Sequence, residues 1–112
     1  MIKIEEMSEG PLVKDLKALA EFAQDAIVSK VFLDRPAVNM TLFCMSRGQS
    51  LSEHTASKPA AIHVLQGRGV IHLGEEKYDA TAGTWVYMPK DQRHAIDAAE
   101  DMVFLLTLFK QG

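Results

Sequence analysis

The chain has little of what a secreted or membrane protein needs. It contains a single cysteine, Cys44, so it cannot form an internal disulfide. No apolar run approaches the roughly 20 residues of a transmembrane helix. The first ten residues, MIKIEEMSEG, are charged and lack the apolar segment of a signal peptide. These features predict a cytoplasmic protein with no membrane partner.

Clusters of positive charge and familiar catalytic signatures are also missing. No run of Lys or Arg exceeds two residues and the formal net charge is -3, so no nucleic-acid partner is expected. No Ser-His-Asp or Cys-His signature is visible, and the apolar neighbours of Cys44 favour a buried thiol over a nucleophile. The glycine turn at 67–69 is not followed by a helix, which argues against a phosphate loop.

The composition is that of an ordinary globular domain, with 112 residues, 47% hydrophobic and 24% charged. We expect one domain over 1–112, with an N-terminal strand and helix at 1–26 and a barrel at 27–110. Ile2 and Ile4 suggest an edge strand, and Pro11 is well placed to open a helix of about 12 residues. The apolar stripe of that helix consists of Leu12, Leu16, Leu19, Ala20 and Ala23.

Short apolar segments separated by turns occupy the rest of the chain. Strands are predicted at 27–33, 38–45, 60–65, 70–73, 77–81, 84–88, 94–98 and 102–109, with a polar loop at 50–59. With the N-terminal lead, this makes about nine strands and one helix. The pattern indicates an antiparallel sandwich or barrel.

Two histidines, His54 and His94, lie at positions that strand pairing would bring together. Each follows a glycine-led turn, and the short strands between them must pair with one another. We therefore expect both imidazoles in one cavity. They could bind an anion, hydrogen-bond a ligand or pass a proton. The alternative is a pair of remnants, hydrogen-bonded to the backbone or to each other.

The spacing around His54 resembles the first motif of small single-domain cupins of the RmlC-like family. That motif is Gly-x5-His-x-His, then Glu after three or four residues, then x6-Gly. Gly48, His54 and Gly67 fall in register. Ala56 replaces the second histidine and Ala60 replaces the glutamate.

The second cupin motif, Gly-x5-Pro-x-Gly-x2-His-x3-Asn, fits around His94. Gly83, Pro89 and His94 are in register, whereas Asp91 and Ala98 replace the inner glycine and the asparagine. The resemblance covers roughly residues 38–109. It implies an all-β double-stranded β-helix, a jelly-roll barrel of the cupin type, with one short N-terminal α-helix.

The resemblance also implies a divalent metal ion such as Zn, Ni, Fe or Mn, held by three histidines and one glutamate. Here only His54 and His94 remain, and two imidazoles alone hold such an ion weakly. His72, on a neighbouring strand, is a candidate substitute ligand. Simple alternation turns His63 away from Ala60, and Glu53 points away from its neighbour.

Further pocket residues are predicted from side-chain alternation on one strand. Trp85 and Tyr87 share one face, Val86 and Met88 share the other, and one of these pairs should line the interior. Methionines would add a pliable lining. The predicted pocket residues are His54, His94, Trp85, Tyr87, Met40 and Met88.

Three functions are compatible with these features. The first is a small-molecule-binding cupin with a two-histidine pocket. The second is a metal-dependent cupin enzyme, of dioxygenase or isomerase type, with a substitute third ligand. The third is an interaction module that forms a homodimer through its N-terminal segment. The C-terminal stretch AIDAAEDMVFLLTL resembles small stand-alone cupins of unassigned function and does not decide between them.

Overall fold

A computed structural model describes residues 10–110, which contain nine strands and one short helix. These are α1 (Leu16–Leu19), β1 (Ile27–Asp34), β2 (Val38–Met45), β3 (Ser50–His54), β4 (Ala60–Gln66), β5 (Arg68–Leu73), β6 (Glu76–Thr81), β7 (Trp85–Met88), β8 (His94–Ala98) and β9 (Met102–Phe109). The five-stranded sheet has the order β1-β2-β9-β4-β7, and the four-stranded sheet has the order β3-β8-β5-β6. All pairs are antiparallel, which confirms the predicted all-β barrel with one short helix.

The main core lies between the two sheets. Alternate side chains of each strand point inward, so Phe104 of β9 meets Ile71 of β5 and Ile96 of β8 in one buried cluster. These three side chains are at most 1% exposed. Burial of each such side chain stabilises the fold by about 1.5–3 kcal/mol.

A second, smaller apolar cluster lies on the outer face of the five-stranded sheet. Leu42 and Cys44 of β2 and Val103 of β9 are buried there, with Leu19 and Ala20 packed against them. Cys44 is fully buried, as predicted for an inert thiol. The segment around α1 thus covers one end of this outer face.

The predicted length of the helix was wrong, because α1 has four residues rather than about 12. Asp15 caps it by accepting a hydrogen bond from the Lys17 amide at 3.0 Å, and Ala20 leaves it in an extended conformation. A short helix is marginal without tertiary contacts, and only one turn packs on the sheet. No helix within residues 10–110 has the length and apolar character needed to cross a membrane. The predicted edge strand through Ile2 and Ile4 lies outside the described residues.

The polar loop predicted at 50–59 was also wrong in its first half, where β3 forms an edge strand. β3 pairs with β8 through a β-bulge: three steps separate Leu51 from His54, but two separate their partners Ile96 and His94. The extra residue breaks the alternation of the strand. Leu51 and His54 therefore face the same cavity despite their odd spacing.

Gly67, the closing glycine of the first motif, provides a test of this packing. Its φ is +81°, and an added Cβ would lie 2.0 Å from the Asp101 carbonyl oxygen. Gly83 has φ +99° but open space around it. We expect Gly83→Ala to cost about 1–2 kcal/mol of unfolding free energy for the left-handed backbone alone. Gly67→Ala should cost about 1–3 kcal/mol more, because the backbone must move.

Urea denaturation of both variants measures this difference. Both substitutions add one methyl group at a positive φ, so the comparison isolates the steric clash. Equal losses of stability would show that the approach of Asp101 to Gly67 is not tight.

Candidate ligand pocket

The structure brings His54 and His94 together at the mouth of the barrel, as predicted. They are direct partners in the β3–β8 ladder, with ring centroids 4.1 Å apart and ring planes at 59°. His94 is 7% exposed, whereas His54 lies on the edge strand and is exposed. His54 is therefore the solvent-exposed member of the pair and His94 is the buried one.

The loops that flank the two histidines are tied to each other. The Asp91 amide donates a hydrogen bond to the Ala56 carbonyl oxygen at 2.8 Å. Asp91 has φ +66°, a left-handed conformation that Asp tolerates better than most residues. The cupin motif has glycine at this position. Asp91 therefore keeps the left-handed backbone conformation that the glycine of the motif would provide.

Both histidines use the same ring nitrogen to contact the backbone. The Nδ1 atom of His54 lies 2.8 Å from the Ser52 carbonyl oxygen, and that of His94 lies 3.0 Å from the Gln92 carbonyl oxygen. A carbonyl oxygen only accepts, so each Nδ1 carries the proton. In the neutral state both Nε2 atoms therefore hold a free lone pair.

The cavity beside the two histidines has apolar walls and a volume of about 150 Å³. Phe43 and Phe104 stack face to face on one wall, with centroids 4.9 Å apart and ring planes at 4°. All the non-histidine side chains around the cavity are hydrocarbon. They are Phe43, Leu51, Ile62, Ile96, Phe104 and Leu106. The two imidazoles are thus the polar side chains of this pocket.

Burial sets the charge of the inner histidine. Loss of solvation lowers the pKa of His94 below its ordinary value, the Gln92 carbonyl opposes this shift, and the proximity of His54 adds to it. His94 is therefore held neutral at physiological pH. The inner histidine therefore presents a lone pair to the pocket rather than a positive charge.

The other two histidines lie outside the pocket. His63 lies opposite Trp85 on the outer face of the five-stranded sheet, as alternation predicted. The suggestion of His72 as a metal ligand was wrong. Its Nε2 lies 2.7 Å from an Asp97 carboxylate oxygen on the side of the four-stranded sheet that faces away from the core. Glu53 pairs with Arg93 at 3.6 Å and is not part of the pocket either.

Four apolar residues predicted for the pocket also lie elsewhere. Trp85 is 60% exposed and Tyr87 is 52% exposed, because this face of β7 points outward. Met40 lies on the same outer face, opposite Thr107 of β9. Met88 is buried in the main core but does not line the cavity. The structure thus places Trp85, Tyr87 and Met40 outside the pocket, while the other pair of β7, Val86 and Met88, faces the interior, as one of the two pairs was predicted to do.

The residues that form the walls were not predicted. Each is an inward-facing member of its strand, contributed by β2, β3, β4, β8 or β9. Alternation alone divides a strand into two faces without saying which one points inward. Residues that pair across neighbouring strands share a face of the sheet. Placing His54 in the interior would therefore have shown which face of the adjoining strands points inward.

The donor set does not match that of a four-ligand metal centre. Ala60 is 4% exposed and faces the core, and neither it nor Ala56 carries a donor atom. Within residues 10–110, no group of three or more His, Cys, Asp or Glu side chains is placed to hold a metal ion. Two imidazoles can coordinate an ion weakly or form hydrogen bonds to a ligand. They do not make up the set of three histidines and one glutamate that the cupin motif supplies.

Comparison with known proteins identifies the family. The family model described as "Cupin domain" matches residues 41–108, more than half of the chain. The chain therefore belongs to the cupin family. No curated protein matches it at a significant level.

Solved structures with the same fold include proteins without an assigned activity. A conserved protein of unknown function from Streptococcus pyogenes is 28% identical, with a TM-score of 0.81, over 94% of this chain and 92% of that chain. A cupin superfamily protein from Desulfitobacterium hafniense is 25% identical, with a TM-score of 0.81, over 93% and 94%. An RmlC-like cupin from Desulfovibrio desulfuricans is 22% identical, with a TM-score of 0.75, over 93% and 97%, and shows the fold alone.

The lowered pKa of His94 predicts a pH dependence of stability. An unfolded histidine takes up a proton near pH 6.5, while native His94 stays neutral to lower pH. This contribution to stability is fully present above about pH 6.5 and is lost as the pH falls toward the native pKa. We expect His94→Gln to flatten the dependence of unfolding free energy on pH between about 7 and 5.

Urea unfolding of wild type and variant at several pH values measures this slope. An NMR titration of the His94 ring protons reports the native pKa directly. Identical slopes in the two proteins would contradict the assignment.

Proposed function

We propose that this cupin binds a small, mostly apolar molecule through the pocket between its sheets. The observation that carries the proposal is the pair of adjacent imidazoles, each with its Nδ1 atom held by a backbone carbonyl, that line a cavity with hydrocarbon walls. A concave apolar site with a few convergent polar groups is the usual form of a ligand site. The predicted cytoplasmic location remains a prediction that rests on the lone cysteine.

The size and chemistry of the pocket define the class of ligand. A cavity of about 150 Å³ accepts a body close to benzene in size. Two acceptor nitrogens call for a hydrogen-bond donor on that body, such as a hydroxyl, phenol or amine. A carboxylate is disfavoured, because the neutral His94 offers it no proton. The proposed ligand is therefore a small ring or branched chain with one donor group.

A thermal-shift comparison of paired compounds tests this proposal. Benzyl alcohol and phenol supply a donor, while toluene and anisole have similar bodies without one. At about ten times its Kd, a bound donor compound should add about 1.4 kcal/mol of stability. That corresponds to roughly 6 °C in Tm for a domain of this size.

The shift should vanish in the His54→Ala/His94→Ala double variant and persist in His72→Ala, whose ring lies on the far side of the four-stranded sheet. Equal shifts from donor and donor-free compounds would assign binding to the walls alone. No shift from any donor compound in wild type would overturn the proposal.

A second candidate is a metal-dependent cupin enzyme of dioxygenase or isomerase type. It is supported by the orientation of both imidazoles, since a neutral Nε2 is the form that coordinates Zn, Ni, Fe or Mn. This candidate requires at least one further ligand beyond His54 and His94, such as a donor atom of the substrate. Our proposal ranks it second because position 60 carries alanine.

Elemental analysis of protein purified without added metal distinguishes the two candidates. A metal enzyme should contain about one ion per chain, as a site with open positions for substrate requires. That metal should be lost in the His54→Ala/His94→Ala variant and retained in His72→Ala. Substoichiometric metal that is unchanged by the double substitution would remove the enzymatic candidate.

The third hypothesis was a homodimer through the N-terminal segment. Leu19 and Ala20 pack on their own sheet, whereas Val13 and Phe22 of the same segment are exposed, so this hypothesis stays a prediction. Among residues 10–110 the large exposed hydrophobic residues are spread over the N-terminal segment, β1, β6 and β7: Val13, Phe22, Val31, Tyr78, Trp85 and Tyr87.

A further inference from the structure

Three polar side chains form a hydrogen-bonded row on the outer face of the four-stranded sheet. The Ser50 hydroxyl donates to one carboxylate oxygen of Asp97 at 2.5 Å, and the His72 Nε2 atom lies 2.7 Å from the other. The first distance is that of a charge-assisted hydrogen bond between a hydroxyl and a carboxylate. Both oxygens of Asp97 are therefore engaged, one with β3 and one with β5.

The two bonds of Asp97 reach strands that are held in different ways. β5 lies between β8 and β6 and pairs with both along its length. β3 lies at the edge of the sheet, and Leu51 is its one apolar residue. The bond to His72 therefore joins strands that a full ladder already holds, whereas the bond to Ser50 strengthens the attachment of a weakly held edge strand.

The Ser50–Asp97 bond lies directly beside the β-bulge of β3. Ser50 pairs with Asp97 and Leu51 pairs with Ile96, and the ladder then shifts before the two histidines meet. At this step Ser50 points outward while Leu51 points into the pocket. The two faces of the strand thus specify the same register, one through a hydrogen bond and the other through burial.

The neighbouring register would change the wall of the pocket. If the start of β3 moved by one residue to remove the bulge, Leu51 would pair with Asp97 on the outer face and Ser52 would take its place in the wall. The Ser50 hydroxyl would then point to the buried side, where an unpaired hydroxyl costs free energy. The bond to Asp97 is lost in that register, so it opposes the shift.

The charge of Asp97 strengthens both of its bonds. The Ser50 hydroxyl first, and then the His72 ring, hold the pKa of Asp97 below its ordinary value. Asp97 therefore carries a negative charge at neutral pH and accepts from both partners. Its side chain is 50% exposed, so solvent keeps each bond to the strength of an ordinary surface hydrogen bond.

We propose that Ser50 and Asp97 are positioning residues for the ligand pocket, because their bond holds β3 in the register that places Leu51 in the wall and brings the two histidines together. Neither residue touches the cavity, and each acts through a chain neighbour, Leu51 or Ile96, that lines it. The effect on a ligand rests on the proposed function, whereas the effect on the strand is measurable without any ligand.

Amide hydrogen exchange of the full chain tests the effect on the strand. The Gly48 amide donates to Ala98 and the Ala98 amide donates to Gln49, so their protection reports the opening of β3 from β8. Ser50→Ala should lower this protection about 5-fold, the effect of losing one hydrogen bond of average strength. The Val64 amide, which is hydrogen-bonded within the other sheet, should keep its protection.

His72→Ala is the matched control, because it removes the other hydrogen bond of the same carboxylate. It should leave the exchange of the Gly48 and Ala98 amides unchanged. Ser50→Thr keeps the hydroxyl at an exposed position and should retain the wild-type protection. Because Ser50 and Asp97 act as a pair, the Ser50→Ala/Asp97→Ala variant should lose no more protection than Asp97→Ala.

Phenol then links the strand to the pocket. A ligand that binds only while β3 is closed raises the protection of the Gly48 and Ala98 amides, by about 11-fold at ten times its Kd. Wild type and Ser50→Ala should show the same increase. If phenol does not bind the wild-type chain, the proposed function fails, and the exchange of the ligand-free variants still decides whether Ser50 and Asp97 hold the strand.

Three results would overturn the inference. The first is an equal change of the Gly48 and Ala98 amides in Ser50→Ala and His72→Ala. The second is a loss of protection in Ser50→Ala that extends equally to the Val64 amide, since the substitution would then act on the whole fold. The third is bound phenol that leaves the exchange of β3 and β8 unchanged, since the pocket would then not depend on the position of this strand.

Discussion

The pairing of β3 with β8 is the constraint on which the pocket depends. β3 is a polar edge strand whose apolar anchor is Leu51, so side-chain burial alone holds it weakly. Backbone hydrogen bonds fasten both ends instead. Gly48 and Gln49 exchange bonds with Ala98 at 2.9 Å, and the Ala56 carbonyl accepts from Asp91 at 2.8 Å. The two histidines lie between these fastened ends, and the ladder sets their separation.

The apolar walls of the pocket also determine the protonation state of His94. Hydrocarbon around His94 lowers its pKa, and the backbone carbonyls fix which nitrogen carries the remaining proton. The result is an acceptor nitrogen on the buried His94 in apolar surroundings, where a hydrogen bond to a ligand gains strength. With a more polar lining the two histidines would keep their positions, but His94 could take up a second proton. It could then no longer accept a hydrogen bond from a ligand.

The strands were predictable where one face is buried and the apolar pattern is strong, as in β2 and β9. The motif spacing also predicted that His54 and His94 would meet. β3 was missed because a polar edge strand carries no apolar period. The length of α1 depends on how many of its turns find a surface on the sheet, which local sequence does not reveal.

The faces of the strands were harder to predict than the strands themselves. Alternation showed that Trp85 and Tyr87 share a side, but not that this side points outward. Large aromatic residues are commonly buried, and that expectation placed them in the pocket. The same ambiguity between the two faces of a strand explains why the walls of the cavity were not predicted. The wall residues come from five strands, and the inward face of each strand depends on its pairing partners.

The bulge in β3 has a consequence for the chemistry that this barrel mouth can support. A straight strand, with no additional residue, would set Glu53 instead of His54 across from His94. An imidazole facing a carboxylate is an acid–base dyad, whereas two neutral imidazoles are a pair of bases. A one-residue slip along this edge therefore exchanges one reactivity for the other and leaves the remaining eight strands as they are.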